Sequence, residues 1–226
     1  MMISLIHPSR GRPQKAKAAY DYWMSRAANP SQIEHILSLD FSDPLNEMYE
    51  IGPDERHRSF GPNSKTIIDH NDCVVEATNS AAKLSKGNIL VYLSDDFICP
   101  DNWDEKILPY FAGANPVLLR VNDGYQPMEN DVLTIPIMNR VLYERIGYFF
   151  NPLYKSMWTD VDLFNVCKNF IVNVPELIFE HQHPVTGKCD TDETYARSNA
   201  NFETGREIYN KRAAEFGWKQ AFKKMP

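Results

Sequence analysis

The sequence predicts an α/β fold with a mostly parallel central sheet and helices on both faces. Three observations lead there. The first 40 residues read strand, helix, strand, the βαβ unit that favours parallel pairing. Four polar clusters each follow a predicted apolar strand, where open α/β sheets hold their ligands. The 226 residues suit one domain with a sizeable core.

Residues 3–6 are apolar apart from one serine and predict a short buried strand, followed by a loop over 8–13 with two prolines and a glycine. A helix is predicted over 15–28, with Tyr20, Trp23 and Met24 on one side and Asn29 and Pro30 stopping it. A second strand spans 34–39 and ends in Asp40. Residues 43–65 are polar and rich in Pro and Gly, which predicts a loop with one short strand over 48–51. Val74, Ala77, Ala81 and Leu84 then recur at helical spacing, with Asn71 or Asp72 as the N-cap and Gly87 at C′. A buried strand over 88–93 runs into Ser94, Asp95 and Asp96. Trp103, Ile107 and Phe111 mark another helix face, and strands follow over 117–121 and 132–138. Asn139 caps a short helix that Gly147 ends. A helix over 158–169 and strands over 170–174 and 177–179 lead to Glu180, His181, Gln182, His183 and Pro184, and a long helix over 202–222 closes the chain. There is no internal repeat, linker or low-complexity segment.

Composition excludes several classes. No run approaches the roughly 18 to 20 apolar residues of a membrane span. The start lacks the basic and long apolar regions of a signal peptide, so a cytoplasmic protein is expected. Cys73, Cys99, Cys167 and Cys189 form no CxxC pair, which argues for reduced thiols over a zinc knuckle. The net charge of -6 argues against nucleic acid as an obligatory scaffold and leaves it open only as an acceptor.

The polar clusters at strand ends are Pro8-Ser9-Arg10, Asp40 with Ser42 and Asp43, Ser94-Asp95-Asp96, and His181 with His183. Each alone is weak, because a carboxylate after a strand more often caps a helix or closes a turn. Their shared placement carries the weight. Adjacent carboxylates repel unless a cation screens them, and a hard divalent ion completed by diphosphate oxygens removes that strain. An imidazole in the shell suits Mn2+ as well as or better than Mg2+. Alternation places His181 and His183 on one side of an extended chain.

These residues resemble the family-2 inverting glycosyltransferases and their GT-A fold, over nearly the whole chain. The stretch 77–96 is similar to the family's small-residue helix, Lys-Gly, apolar strand and Asp-x-Asp motif. Residues 39–43 look like its Asp-rich turn, 158–163 like the segment that carries its catalytic base, and 180–184 like its C-terminal metal-histidine region. The sequence departs at Thr78, where the family often has Arg, at Ser94, in place of the first Asp, and at Thr159, in place of Glu. The resemblance implies one GT-A domain over 1–226, with a nucleotide-binding half over about 1–100, an acceptor half over about 101–200 and the C-terminal helix. It implies that Pro8, Ser9 and Arg10 line the base and ribose pocket, and that Asp40 accepts from the base, favouring the N3–H of uracil in a UDP-sugar. It further implies that Asn79 and Lys83 lie near the nucleotide, that Asp95 contacts ribose or sugar, and that Asp96 with His181 or His183 holds the metal. Asp160 would be the base that deprotonates an acceptor hydroxyl in a single, inverting displacement.

Blander readings stand beside these. Asp160 at a helix start can simply favour the dipole, and Asp162 is expected to be structural. Trp158 is the better aromatic candidate for stacking on a sugar, with Tyr125 also possible and Trp103 expected in the core. The polar segment 190–201 suits either a lid or a surface loop. The rival functions are a nucleotidyltransferase, for which Arg10-Gly11-Arg12 is a faint signal, and a non-catalytic sugar-binding module. The acceptor class is not legible.

Overall fold

Alternating apolar residues give every central strand two buried faces, and that alternation organises the molecule. The computed structural model describes residues 1–49 and 60–221. In chain order the elements are β1 (Ile3–Pro8), α1 (Pro13–Ser25), β2 (Ile33–Asp40), β3 (Ser64–Asp69), α2 (Val74–Leu84), β4 (Ile89–Tyr92), β5 (Phe97–Ile98), α3 (Trp103–Ile107), β6 (Leu118–Asn122), β7 (Pro136–Asn139), α4 (Arg140–Ile146), α5 (Thr159–Val166), β8 (Ile171–Ile178), β9 (Glu180–His181), α6 (Glu193–Asn199) and α7 (Phe202–Phe216). Seven strands form one sheet in the order β3-β2-β1-β4-β7-β6-β8. Only β7 runs against its neighbours, so the sheet is mostly parallel as expected. β5 and β9 make a separate antiparallel pair with Phe97 opposite His181.

Two apolar layers flank the sheet. Ile3, Leu5, Ile89, Val91, Leu119 and Ile137 face one side, where they meet Trp23 of α1 and Trp103 of α3. Ile6, Ile36, Leu90, Leu118 and Met138 face the other, against α2, α4, α5 and α7. Each fully buried Leu or Ile is worth about 1.5–3 kcal/mol, so these layers fix strand register and with it the positions of the residues just past the strand ends.

Several expected boundaries shift for local reasons. Pro13 opens α1 two residues early, at the one helical position where its missing N–H costs nothing. β3 was not expected; it is an edge strand with Lys65 and Asp69 exposed, so its apolar pattern is weak. Cys73, not Asn71 or Asp72, occupies the N-cap of α2, and the Asn71 amide instead donates to Leu39 O at 3.1 Å. Gly87 is not a C′ residue. The chain passes so close to β1 that an added Cβ would sit 2.7 Å from Ser4 N, which is why glycine is needed there. The strand over 132–138 shrinks to β7, and the two over 170–174 and 177–179 merge in β8. Asn139 does cap α4, accepting from Leu142 N at 3.0 Å, and Gly147 ends it at φ 82°. Residues 50–51 of the expected strand over 48–51, and position 222 of the last helix, lie outside the described residues; Met48 belongs to a 3-10 turn, and α7 ends at Phe216.

Among the described residues no helix is long and apolar enough to cross a membrane, and all four cysteines are free thiols. Asp162 is structural as expected. It is 0% exposed and accepts from Arg212 Nε at 2.5 Å, Tyr154 Oη at 3.0 Å and Asn151 Nδ2 at 3.1 Å, tying α7 to α5. Asp162→Ala strips a half-buried cation and two buried polar groups of their common partner. A loss of about 3–5 kcal/mol in denaturant unfolding is expected, and a loss near zero would mean that the pair does not anchor α7.

Candidate functional site

The carboxyl ends of β1, β2 and β4 open onto a cavity of about 310 Å³, which the start of α5 and the side of α6 also line. Of the residues singled out in the sequence, Pro8, Ser9, Arg10, Asp40, Asp95, Asp96, Asp160, His181 and His183 all line it. Asn79 and Lys83 do not. The Asn79 side chain accepts from Phe149 N and Phe150 N, both at 2.9 Å, and donates to Phe150 O at 2.7 Å, so it braces a loop. Lys83 is exposed on α2.

Asp96 is the centre of the site. Its Oδ2 accepts from Tyr195 Oη at 2.7 Å and lies 3.5 Å from His181 Nε2. Its Oδ1 is buried and, among the described residues, has no hydrogen-bond partner. Burial would raise this carboxyl's pKa, but the hydrogen bonds and charge of His181 and the Tyr195 hydroxyl outweigh it, and the pKa is lowered. The β5–β9 pair stacks His181 on Phe97, ring centroids 4.2 Å apart, and His183 meets His181 edge-on at 4.9 Å. Burial and then His181 lower the pKa of His183, favouring the neutral ring that a metal requires. Among the described residues no three His, Cys, Asp or Glu side chains converge into a complete cage. Asp96 with its orphaned oxygen and the adjacent imidazole therefore fit a cation whose remaining ligands come from a bound molecule.

The other carboxylates are partly engaged. Asp95 accepts from His7 Nε2 at 2.7 Å and from Ser9 Oγ at 2.8 Å, one donor on each oxygen. Asp40 Oδ2 pairs with Arg10 and accepts from Ser42 Oγ, while Oδ1 accepts from Ser42 N at 2.9 Å. Because a carboxylate offers about four acceptor positions, each keeps room for a ligand donor. The Arg10-Gly11-Arg12 loop is less available. Gly11 N donates to Asp43 at 2.6 Å, and Arg12 is held by Asp192, so this loop is not an open phosphate cradle.

Asp160 faces the cavity from the first turn of α5. Burial, supplemented by the charge of Asp123, pushes its pKa up to about 6, against two backbone hydrogen bonds that lower it. The preceding backbone is strained. Trp158 adopts φ 76°, a left-handed conformation that costs a bulky residue about 1–2 kcal/mol. Its ring offsets that cost by stacking on Tyr209 at 5.4 Å and donating to Phe202 O at 3.1 Å. Trp158 is thus buried away from the cavity and does not offer a face to a sugar; Trp103 is in the core and Tyr125 is outside the lining. Thr159, in the place of the resembled family's Glu, lines the cavity with a buried hydroxyl that has no partner among the described residues.

The segment 190–201 is not an irregular loop but carries α6, which lies against the cavity. Asp192 caps α6 by accepting from Thr194 N at 3.1 Å and Tyr195 N at 3.2 Å. It also takes both Arg12 Nε and Nη2, at 2.9 and 2.6 Å, and Lys15 Nζ at 3.0 Å. Arg12 sits 4.3 Å above the Tyr195 ring. Sequence reasoning placed Arg12 in the loop after β1 and Tyr195 in the polar segment 190–201, but missed that Asp192 and Tyr195 bind Arg12 there. The Asp192-Glu193 start was a legible N-cap signal, but the bridge from Arg12 spans 180 positions.

No protein-family model matches the chain, and no curated protein matches its sequence. Solved structures do. TarS residues 1–349 from S. aureus, in complex with UDP-GlcNAc, superposes with a TM-score of 0.69 at 13% identity, covering 95% of this chain and 66% of that one. The mannosyltransferase PcManGT from Pyrobaculum calidifontis, in complex with GDP-Man and Mn2+, gives 0.61 at 13%, covering 79% of this chain and 56% of that one. The chain thus spans less than two thirds of either relative. At that identity the likeness shows the fold alone: the chain shares the α/β fold of these two proteins, with the mostly parallel central sheet that the sequence predicted.

Arg12 and hydrogen bonds to the Asp192 carboxylate hold its pKa at about 2, although burial opposes this, so the latch is present above the usual Asp range and lost as pH falls toward 2. Asp192→Ala removes both cap and latch. Amide exchange at Thr194 and Tyr195 should rise roughly 5- to 30-fold, the effect of about 1–2 kcal/mol, while the β1 amides stay protected. Unchanged exchange in α6 would show that other contacts hold it.

Proposed function

We propose that this chain is a glycosyltransferase that moves a sugar from a nucleotide-sugar donor, with UDP as the carrier, to an acceptor hydroxyl with inversion. The observation that carries the reading is the buried, unpartnered Oδ1 of Asp96 beside His181, at the rim of a cavity bounded by the carboxyl ends of parallel strands. A ligand that brings a cation and anionic oxygens completes that carboxylate. The fold adds support, since the two relatives were solved with UDP-GlcNAc and with GDP-Man and Mn2+.

In this reading Pro8, Ser9 and Arg10 line the base and ribose pocket, Asp40 accepts from the base, and Asp95 takes a donor hydroxyl. Asp96 with His181, and His183 behind it, would hold a divalent cation, Mn2+ or Mg2+. The ion, when bound, supplies positive charge against the departing diphosphate. Asp160 takes the acceptor's proton, and its raised pKa suits that role: ionised at neutral pH, yet basic enough to accept. One displacement gives inversion. The four free thiols suit a reducing, cytoplasmic setting, and one domain over 1–226 is the matching organisation.

Release of nucleoside diphosphate from UDP-sugars and GDP-sugars, with and without Mn2+, tests the reading; release of pyrophosphate from nucleoside triphosphates would instead indicate nucleotidyl transfer. Hydrolysis or transfer should require the metal, and Asp160→Asn should lower kcat by roughly 10²- to 10⁴-fold with little change in donor KM. The wild-type kcat should climb with pH through an inflection near 6, as Asp160 loses its proton. The sign is opposite for stability: the folded state holds this proton more tightly than the unfolded chain, so Asp160 erodes stability as pH rises from the ordinary Asp range to about 6. A flat pH profile between 5 and 7, or full activity in Asp160→Asn, would remove Asp160 from the mechanism.

A further inference from the structure

A buried line of polar groups crosses the sheet beneath the cavity. His7 on β1 places Nε2 2.7 Å from Asp95 Oδ1 and Nδ1 2.9 Å from His35 Nε2 on β2. His35 Nδ1 in turn lies 2.8 Å from Ser64 Oγ at the start of β3. The rings are 0% and 1% exposed, and neither lines the cavity. Tyr20 and Phe60 pack on His35 at 4.8 and 5.8 Å. Two adjacent imidazoles buried in an apolar sheet are costly unless each nitrogen is paired, and here all four are.

With both rings uncharged, one hydrogen arrangement satisfies the whole line. A carboxylate can only accept, so His7 Nε2 carries its hydrogen and Nδ1 is bare. That bare nitrogen requires His35 to donate from Nε2, which leaves His35 Nδ1 to accept from Ser64. Burial keeps His35 neutral by lowering its pKa well below the usual value. The second oxygen of Asp95 is fixed in the same way: Ser9 donates to it, and Tyr49 Oη lies 3.1 Å from Ser9 Oγ. The carboxylate is therefore held from two directions, one donor on each oxygen.

We propose that His7 and His35 are positioning residues for the nucleotide-sugar donor: by fixing one tautomer they aim Asp95 at a donor hydroxyl. The inference rests on the glycosyltransferase reading above, and it assigns a role to two buried histidines that reading does not use. His35 touches neither the cavity nor Asp95, and its hydrogen bond to His7 is the polar link that joins it to that carboxylate.

The test measures binding of UDP-GlcNAc and of GDP-Man, each with Mn2+, to the full chain and to Asp95→Asn, His35→Phe and His35→Gln, with thermal midpoints for each. His35→Phe keeps the packing against Tyr20 and Phe60 but removes the donor to His7; His35→Gln restores an N–H near the Nε2 position. Expected is a loss of roughly 10-fold or more in donor affinity for Asp95→Asn and for His35→Phe, with recovery to within about 3-fold in His35→Gln. Combining Asp95→Asn with His35→Phe should cost little beyond Asp95→Asn alone, because both act on one contact. In ¹⁵N spectra His7 should be the Nε2–H tautomer in the wild type and lose that fixed state in His35→Phe. If the wild type binds neither donor, the glycosyltransferase reading fails and the inference falls with it. If the wild type binds a donor and Asp95→Asn weakens it, but His35→Phe binds normally or its loss simply adds to that of Asp95→Asn, the positioning role is overturned and the function stands. If His35→Phe fails to fold, a His35→Gln variant that folds yet binds donor no better than Asp95→Asn also overturns it.

Discussion

A charged oxygen buried without a donor is expensive, and the Asp96 Oδ1 is such an oxygen. Leaving a group of this kind unsatisfied costs about 1–3 kcal/mol or more, and the surrounding structure bears that cost. The sheet places Asp96 just beyond β4, the β5–β9 pair stacks His181 beside it, and α6 brings Tyr195 to its other oxygen. The His181 and Tyr195 contacts both engage Oδ2, and neither relieves Oδ1. Among the described residues, no hydrogen-bond donor fills that acceptor position.

The rest of the fold serves to keep that position rigid. Interleaved apolar layers on both faces of the sheet set strand register, so the ends of β1, β2 and β4 arrive together at one cavity. Polar cross-links then fix the side chains there. The His7–His35 line braces Asp95 from beneath the sheet, and the Arg12–Asp192 bridge holds α6 alongside. Strain and burial converge at the start of α5, where Trp158 turns left-handed immediately before Thr159 and Asp160. A carboxyl with a raised pKa, a hydroxyl without a partner among the described residues and a strained backbone meet at that turn, and none of them favours folding.

Local signals decided what the sequence could reveal. Strong patterns such as the apolar run before Ser94 or the Asn139 cap and Gly147 stop gave elements and fold class, and the strand-end rule gathered eight of the predicted site residues around one cavity, with Asp160 of α5 joining them through the family resemblance. What the sequence concealed was long-range. Nothing in the neighbourhood of Asn79 shows that its amide is spent on Phe149 and Phe150, and Trp158 reads as a free aromatic until α7 covers it. β3 hid because an edge strand keeps charges, and α6 because its polar surface resembles a loop. The histidine line is invisible in one dimension: His7 and His35 are 28 positions apart and meet only when β1 pairs with β2.

The central claim is that Asp96 and its neighbouring imidazole form half of a cation site that a nucleoside diphosphate completes. Electron paramagnetic resonance of Mn2+ titrated into the protein, with and without UDP and corrected for the Mn2+–UDP complex in solution, measures that coupling directly. The account predicts that UDP tightens Mn2+ binding roughly 5- to 150-fold in the wild type, and that Asp96→Asn abolishes the gain. Mn2+ binding that is indifferent to UDP, or a gain that survives Asp96→Asn, would contradict it.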